Sequence, residues 1–142
     1  MKVLLAVDGS ASSARATEKL AQTLRWYREQ PEIELLAVHL PVPRLPNMSL
    51  VISEHMLEQY YAEECEAMLA PCRQILDAAG VSYVAHTRVG PIAESIVDQA
   101  KRSGSDMIYM GTRGMSALPN MLLGSVATRV LHLAQVPVVL TH

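Results

Sequence analysis

The chain has 142 residues, enough for one domain with a real core, and half of them are apolar, with no Phe and a single Trp, so that core must be aliphatic. The formal charge is −2 and no basic cluster exceeds Lys101-Arg102. That excludes the electrostatic footprint of a nucleic-acid-binding or membrane-surface protein, and no such partner is expected. No apolar run approaches the ~20 residues of a membrane span, and Met1-Lys2 leads straight into VLLAV without a cleavage site; the expectation is a soluble, cytoplasmic protein.

In chain order, KVLLAV (Lys2 to Val7) reads as a first strand. Asp8-Gly9-Ser10 ends it and offers Ser10, Ser12 or Ser13 as helix caps. Ala14, Thr17, Ala21 and Leu24 then fall on one helical stripe. EIELLAVHL (Glu32 to Leu40) is the second strand, and LPVPRLPNMS (Leu40 to Ser49), with three prolines, reads as a stiff connection at its carboxyl end. Leu57, Tyr61, Cys65, Met68, Cys72, Ile75 and Ala79 mark a long second helix closed by Gly80. Pro71 lies inside that helix and should kink it or split it in two.

VSYVAHTRV (Val81 to Val89) is the third strand, and Gly90-Pro91 leads into a helix carrying Ile92, Ile96, Val97 and Ala100. DMIYM (Asp106 to Met110) is the fourth strand. A glycine-containing loop follows, then a helix carrying Val126, Val130, Leu131 and Ala134, and VPVVLT (Val136 to Thr141) closes the chain as a fifth strand. Several strands are near-continuous apolar runs, as in sheets buried on both faces. Strict alternation of strand and helix argues a single open parallel sheet with helices on both faces, joined by right-handed crossovers.

Cys65 and Cys72 lie two turns apart on one helix face, roughly 10 Å along the axis. A disulfide needs Cα atoms within about 7 Å, so they are not bridged to each other. Both read as small apolar residues in a reducing compartment. His55, His86, His132 and His142 have no metal-ligand spacing, and no metal site is expected.

In open α/β sheets ligands bind beyond the carboxyl ends of the strands. The loops there are 8–13, 40–49, 90–91 and 111–123. The last holds Gly111 and Gly114, which let backbone amides approach a ligand or take positive φ. Gly124-Ser125 places bare amides and a hydroxyl at a helix start, where N–H groups and partial positive charge receive anions. Arg113 offers a charge-assisted contact. Together these point to a phosphate chain. Plainer roles stay open: a cap for Asp8 or Ser125, a turn for Gly111 and Gly114, a solvated loop position for Arg113. GxxxxGK[ST] and a first-strand GxGxxG are both absent, so neither a P-loop nor that dinucleotide fold is expected.

The spacing Gly111-x2-Gly114-x9-Gly124-Ser125 resembles the nucleotide-binding signature of the universal stress protein (UspA-like) family, in its ATP-binding branch. VLLAVDGSASSARA, GPIAESIVDQAKRSGSDMIYMGTRG and GSVATRVLHLAQVPVVLTH are similar to further family segments, in the right order along the whole chain, so residues 1–142 resemble one universal stress protein domain. The resemblance implies a five-stranded Rossmann-like sheet, akin to the adenine nucleotide alpha hydrolases, in the order 3-2-1-4-5. It implies ATP as the ligand, with Mg²⁺ able to ride on the phosphates. It assigns Asp8 to the adenosine part, Val38 to the adenine, Met110, Gly111, Arg113 and Gly114 to the ribose and phosphates, and Gly124, Ser125 and Val126 to the second phosphate-binding step. A His often precedes that valine in the family; here Ala37 does, and His39 follows. It also implies a homodimer through the last strand, at Val138, Val139 and Leu140.

No carboxylate pair, Cys/His pair or Ser/His/Asp set emerges in the loops, so no catalytic residue is assigned. The reading is an ATP-binding, nucleotide-sensing regulatory module in stress response, without efficient catalysis. Its alternatives are a slow ATPase or adenylyl-transferring enzyme, and a dimeric scaffold of the same family that binds no nucleotide. The pyrophosphatase-type SGGxDS is absent, since the first loop reads DGSASS.

Overall fold

The computed structural model describes residues 1–43, 46, 52–115 and 122–142. Met48, Pro119, Asn120 and most of the arm between Gly114 and Gly124 lie outside the described residues. Five strands, β1 (Lys2–Val7), β2 (Glu32–His39), β3 (Tyr83–Val89), β4 (Met107–Gly111) and β5 (Val138–Thr141), form one parallel sheet in the order β3-β2-β1-β4-β5. Four helices, α1 (Ala11–Thr23), α2 (Glu54–Ala78), α3 (Ile92–Ser103) and α4 (Ser125–Leu133), connect them, with a 3-10 turn at Leu24–Trp26. Fold class and strand order are as expected.

The strand alternation splits the core in two. Val3, Leu5, Val7, Leu35 and Ala37 pack under α1 and α2 with Cys65, Leu69, Cys72 and Leu76. Leu4, Ala6, Leu36, Val38, Ile108 and Met110 pack under α3 and α4 with Ala93, Ile96, Ala127 and Val130. The core is aliphatic, and both cysteines are buried in it as free thiols. Burial pushes both thiols up in pKa, so they stay protonated and unreactive.

Several sequence expectations are corrected in detail. Of the kink or split expected at Pro71, the split does not occur, since α2 runs on through it. Burying Leu69, Cys72 and Leu76 on both sides of the proline is worth roughly 1.5–3 kcal/mol for each large apolar side chain, against ~3 kcal/mol for an interior proline, so burial wins. The buried stripe of α2 is Cys65, Leu69, Cys72 and Leu76, one step round from the expected one; Ala79 is exposed. In α1 the inward face is Ser12, Ser13, Ala16, Thr17 and Leu20, because the serines serve the loops below them. In α4 Leu131 is exposed and Ala127 takes the inner position.

β3 starts at Tyr83 rather than Val81, because Ala79, Gly80 and Val81 bond back to the end of α2. Gly80, at φ +66°, donates to the Asp77 carbonyl (3.0 Å), and the Val81 N–H returns to Leu76 (2.9 Å). At the amino end of the sheet, Glu34 is buried on the α3 side. Gln99 Nε2 donates to it at 3.1 Å, with Lys2 Nζ at 3.5 Å and His86 Nε2 at 3.8 Å. Among the described residues, no helix is long and apolar enough to cross a membrane.

Candidate functional site

β1 has β2 on one side and β4 on the other, so the chain reverses its winding direction at the carboxyl ends of β1 and β4. A small cleft of about 70 Å³ opens there, on the α3–α4 side of the sheet. That place, beyond the carboxyl ends of the strands at the switch point, suits a small ligand. Its floor is apolar: Ala6, Leu36 and Val38 from the strands, Ile92 and Ile96 from α3, and Val126 from α4. Its polar rim is Asp8 and Ser13 on one bank and Gly111, Arg113 and Gly114 on the other, with Met110 between them.

The first bank is built by a tight hydrogen-bond ring. Ser10 caps α1 in extended backbone and its Oγ accepts the Ser13 N–H at 3.1 Å. Asp8 Oδ1 accepts the Ser10 N–H at 3.0 Å and the Ser13 hydroxyl at 2.6 Å, while Ser13 Oγ accepts the Asp8 N–H at 3.0 Å. Asp8 Oδ2 accepts the Met115 N–H at 3.1 Å, tying the first bank to the second. Gly9, at φ +79°, lets this loop press onto α2, where an added Cβ would stand 3.1 Å from Met68 Cα.

Of the two roles read from sequence for the glycines of the second bank, positive φ does not occur. None of Gly111, Gly114 and Gly124 takes positive φ; among the described residues that belongs to Gly9, Gly80 and Gly104. At Gly111 and Gly114 the protein itself also fills the space that a side chain would take. A Cβ on Gly111 would strike Ser12 Oγ and stand 3.0 Å from the Ser12 backbone carbon and oxygen. One on Gly114 would stand 2.8 Å from Asp8 Oδ2. One on Gly124 would stand 3.4 Å from the Thr112 oxygen, an ordinary contact. Arg113 is exposed, and its N–H reaches Ser12 Oγ at 3.4 Å.

Gly124 is the N-cap of α4, and its N–H donates to the Thr112 carbonyl at 2.7 Å. That bond brings the start of α4 back to the end of β4. Gly124 brings no side-chain acceptor to the first turn, and no acidic residue stands there. The amides of Ser125, Val126 and Ala127 have no intrahelical partner by the geometry of a helix start, and the positive end of the helix dipole lies with them.

The structure thus gathers Asp8, Val38, Met110, Gly111, Arg113, Gly114 and Val126 around one cleft. Gly124 and Ser125 stand beyond its walls, at the α4 end. Ala37 and His39 belong to the opposite face of the sheet. Ala37 is in the α1–α2 core, and the His39 ring packs on Tyr60 and Tyr61 of α2, with Nε2 4.0 Å from Glu64. The residue before Val38 therefore cannot reach the cleft, and neither can the one after it. Ser13, Ile92 and Ile96 line the cleft, and Ser12 stands beside it, though the sequence assigned none of them a ligand role. The isoleucines read as core periodicity and the serines as cap candidates; only their position in the first turn after a strand's carboxyl end marked them. Among the described residues, no three His, Cys, Asp or Glu side chains converge as a metal site.

Over residues 1–142 the chain matches the sequence model described as the universal stress protein family. A universal stress protein of Mycolicibacterium smegmatis is 30% identical over 145 residues, covering 99% of this chain and 47% of that protein; the chain spans about half that relative's length. The Bacillus subtilis universal stress protein YxiE is 29% identical over 147 residues, covering 99% of this chain and 98% of YxiE. Among solved structures, the hypothetical protein MJ0577 superposes with a TM-score of 0.81 at 26% identity, over 99% of this chain and 94% of that one. A universal stress protein solved in complex with cAMP has a TM-score of 0.69 at 23% identity, over 100% and 97% of the two chains. A family protein from Arabidopsis thaliana solved with AMP bound has a TM-score of 0.63 at 20% identity, over 99% and 90%.

Proposed function

The chain belongs to the universal stress protein family, and we propose that it binds an adenine nucleotide in the cleft at the ends of β1 and β4. The observation that carries this reading is the pairing of an apolar floor with a helix start whose N-cap, Gly124, brings no side-chain acceptor. Leu36, Val38, Ile92, Ile96 and Val126 offer a flat base an apolar bed. The first amides of α4, which have no intrahelical partner, offer phosphate oxygens donors and a favourable dipole. Relatives of the same fold carry cAMP and AMP in their solved structures; at those identities the likeness speaks for the fold, and the ligand is argued from the cleft.

Residue by residue, Val38 and Val126 would flank the base and Asp8 would lie beside the nucleoside. Met110, Gly111, Arg113 and Gly114 would run along ribose and phosphates, with Gly124 and Ser125 at the far phosphates. A chain of three phosphates needs the α4 end as well as the cleft, which favours ATP; Mg²⁺ would ride on the phosphates, with few protein ligands. We read the module as a nucleotide-sensing regulator of a stress response in the reducing cytoplasm, where two free cysteines persist. It would act as a homodimer through the free edge of β5, at Val138, Val139 and Leu140.

Calorimetric titration of dialysed protein with AMP and ATP tests the core of this. Both should bind, ATP more tightly because it also engages the α4 amides. Absence of heat for both at millimolar nucleotide overturns the reading, and equal affinity for adenosine and ATP overturns the role given to α4.

A further inference from the structure

Gly114 and Met115 do not shape their own loop. Asp8 holds it from the other bank, and Asp8 is itself held. Its Oδ1 takes two donors from the connection that follows β1, the Ser10 N–H and the Ser13 hydroxyl, the second at only 2.6 Å. With Oδ1 fixed, the carboxylate plane is fixed, and Oδ2 points at the Met115 N–H and fills the space that a Gly114 side chain would need. Ser13 is buried, and its hydroxyl is used in both senses at once, donating to Asp8 Oδ1 and accepting the Asp8 N–H. Beside it, Ser12 fills the corresponding space above Gly111 and accepts the Arg113 N–H.

We propose that Ser13 is a positioning residue for the nucleotide loop: through Asp8 it sets where segment 111–115 sits, and so the width of the cleft. The part of this that concerns ligand affinity rests on the nucleotide reading above; the part that concerns the loop does not. A hydroxyl serving only the α1 cap would matter to the melting temperature and leave Met115 untouched. A hydroxyl that orients Asp8 must be felt at Met115, on the far bank, across a break of more than one hundred residues in sequence.

Two measurements on the full chain decide. In the ligand-free protein, amide exchange at Met115 is followed by NMR in wild type, Ser13→Ala and Asp8→Ala. Asp8→Ala gives the full loss of the tether, and Ser13→Ala should reach at least half of that acceleration on a logarithmic scale. The Thr112 amide, bonded to Thr141 in the sheet at 2.9 Å, should not change in either variant. Unchanged exchange at Met115 in Ser13→Ala overturns the proposal. The second measurement is a double-mutant cycle with AMP. Ser13→Ala should weaken binding about tenfold in the wild-type background, and less than twofold once Asp8 is already Ala. Equal losses in both backgrounds would show that the hydroxyl acts independently of Asp8, and the proposal falls. A wild-type chain that binds no AMP defeats the nucleotide reading alone, and the exchange at Met115 then decides the positioning role.

Discussion

Alanine at each of the three loop glycines should damage the protein in an order that the structure dictates. At Gly111 the new Cβ meets backbone: the Ser12 carbon and oxygen at 3.0 Å, besides Ser12 Oγ. Backbone of a helix first turn cannot swing aside, so the seam between α1 and β4 must open. Overpacking of this kind costs roughly 1–3 kcal/mol. For a chain of this length the unfolding entropy is about 0.3 kcal/mol per kelvin, so the melting temperature should fall by roughly 3–10 °C. At Gly114 the obstacle is Asp8 Oδ2 at 2.8 Å, the end of a side chain, which can turn away if it releases the Met115 N–H. That bond is exposed, so the loss is about 1 kcal/mol and the melting temperature should move by about 3 °C or less. AMP affinity should nevertheless drop, because the loop has lost its tether. At Gly124 the space is ordinary and the cost is that of a poorer N-cap, again about 1 kcal/mol or less. Scanning calorimetry of the three variants reads the order directly. If Gly111→Ala melts within a degree of wild type, or Gly124→Ala is as damaging as Gly111→Ala, the packing account of these glycines is wrong.

Three further outcomes follow from other parts of the molecule. Ser125→Asp places an anion on the positive end of α4, which should raise the melting temperature by roughly 1–3 °C while lowering ATP affinity at least tenfold; unchanged affinity by calorimetry would remove phosphate from that helix start. Burial pushes the Glu34 carboxyl up, and the Gln99 amide, the Ser103 hydroxyl, His86 and Lys2 outweigh it, leaving its pKa below the ordinary value. A lowered folded pKa gives stability that is complete above the unfolded value and is lost as pH falls through the folded one. Glu34→Gln should therefore flatten the loss of melting temperature between about pH 5 and pH 3, and identical acid limbs for both proteins would refute this. The Ile108 and Thr112 N–H groups donate to the Pro137 and Thr141 carbonyls, so the alternate residues Val138 and Leu140 turn their own backbone groups to the free edge of β5. Leu140→Pro removes an edge donor that the monomer does not use, so it should give a folded monomer by light scattering; a persistent dimer would move the interface elsewhere.

The sheet was legible because its signal is redundant. Five apolar runs alternate with helical periods, and no single residue carries the pattern. Which helix face turns inward was less legible, as α1 shows. Ser12 and Ser13 are polar and yet buried, because they serve Asp8 and the 111–115 segment, so hydropathy pointed at Ala14 and Ala21 instead. The same blind spot hid what packs against Gly111 and Gly114. Their spacing is visible in sequence, but what fills the missing side chains is Ser12 and Asp8, about one hundred residues away. Val38 illustrates the reverse. Strand alternation alone puts it on one face and both Ala37 and His39 on the other, so the place of the histidine was already decided by the period of two.

The two ends of the stretch from Thr112 to Gly124 lie close together. The Gly124 N–H closes on the Thr112 carbonyl at 2.7 Å, so the arm leaves and returns at nearly one point. Among the described residues, Asp8 on Met115 holds one end and the Gly124 cap on Thr112 the other. Lengthening a loop whose ends are held costs only the added closure entropy. Four inserted residues, in a loop of about twelve, amount to roughly 0.3 kcal/mol. Inserting Gly-Ser-Gly-Ser between Ala117 and Leu118 should therefore leave the melting temperature within about 1 °C of wild type and AMP affinity within about twofold. A large loss of AMP affinity in that variant, with the fold intact, would mean that the interior of the arm itself grips the ligand. The cleft and the two fixed ends would then be only part of the site.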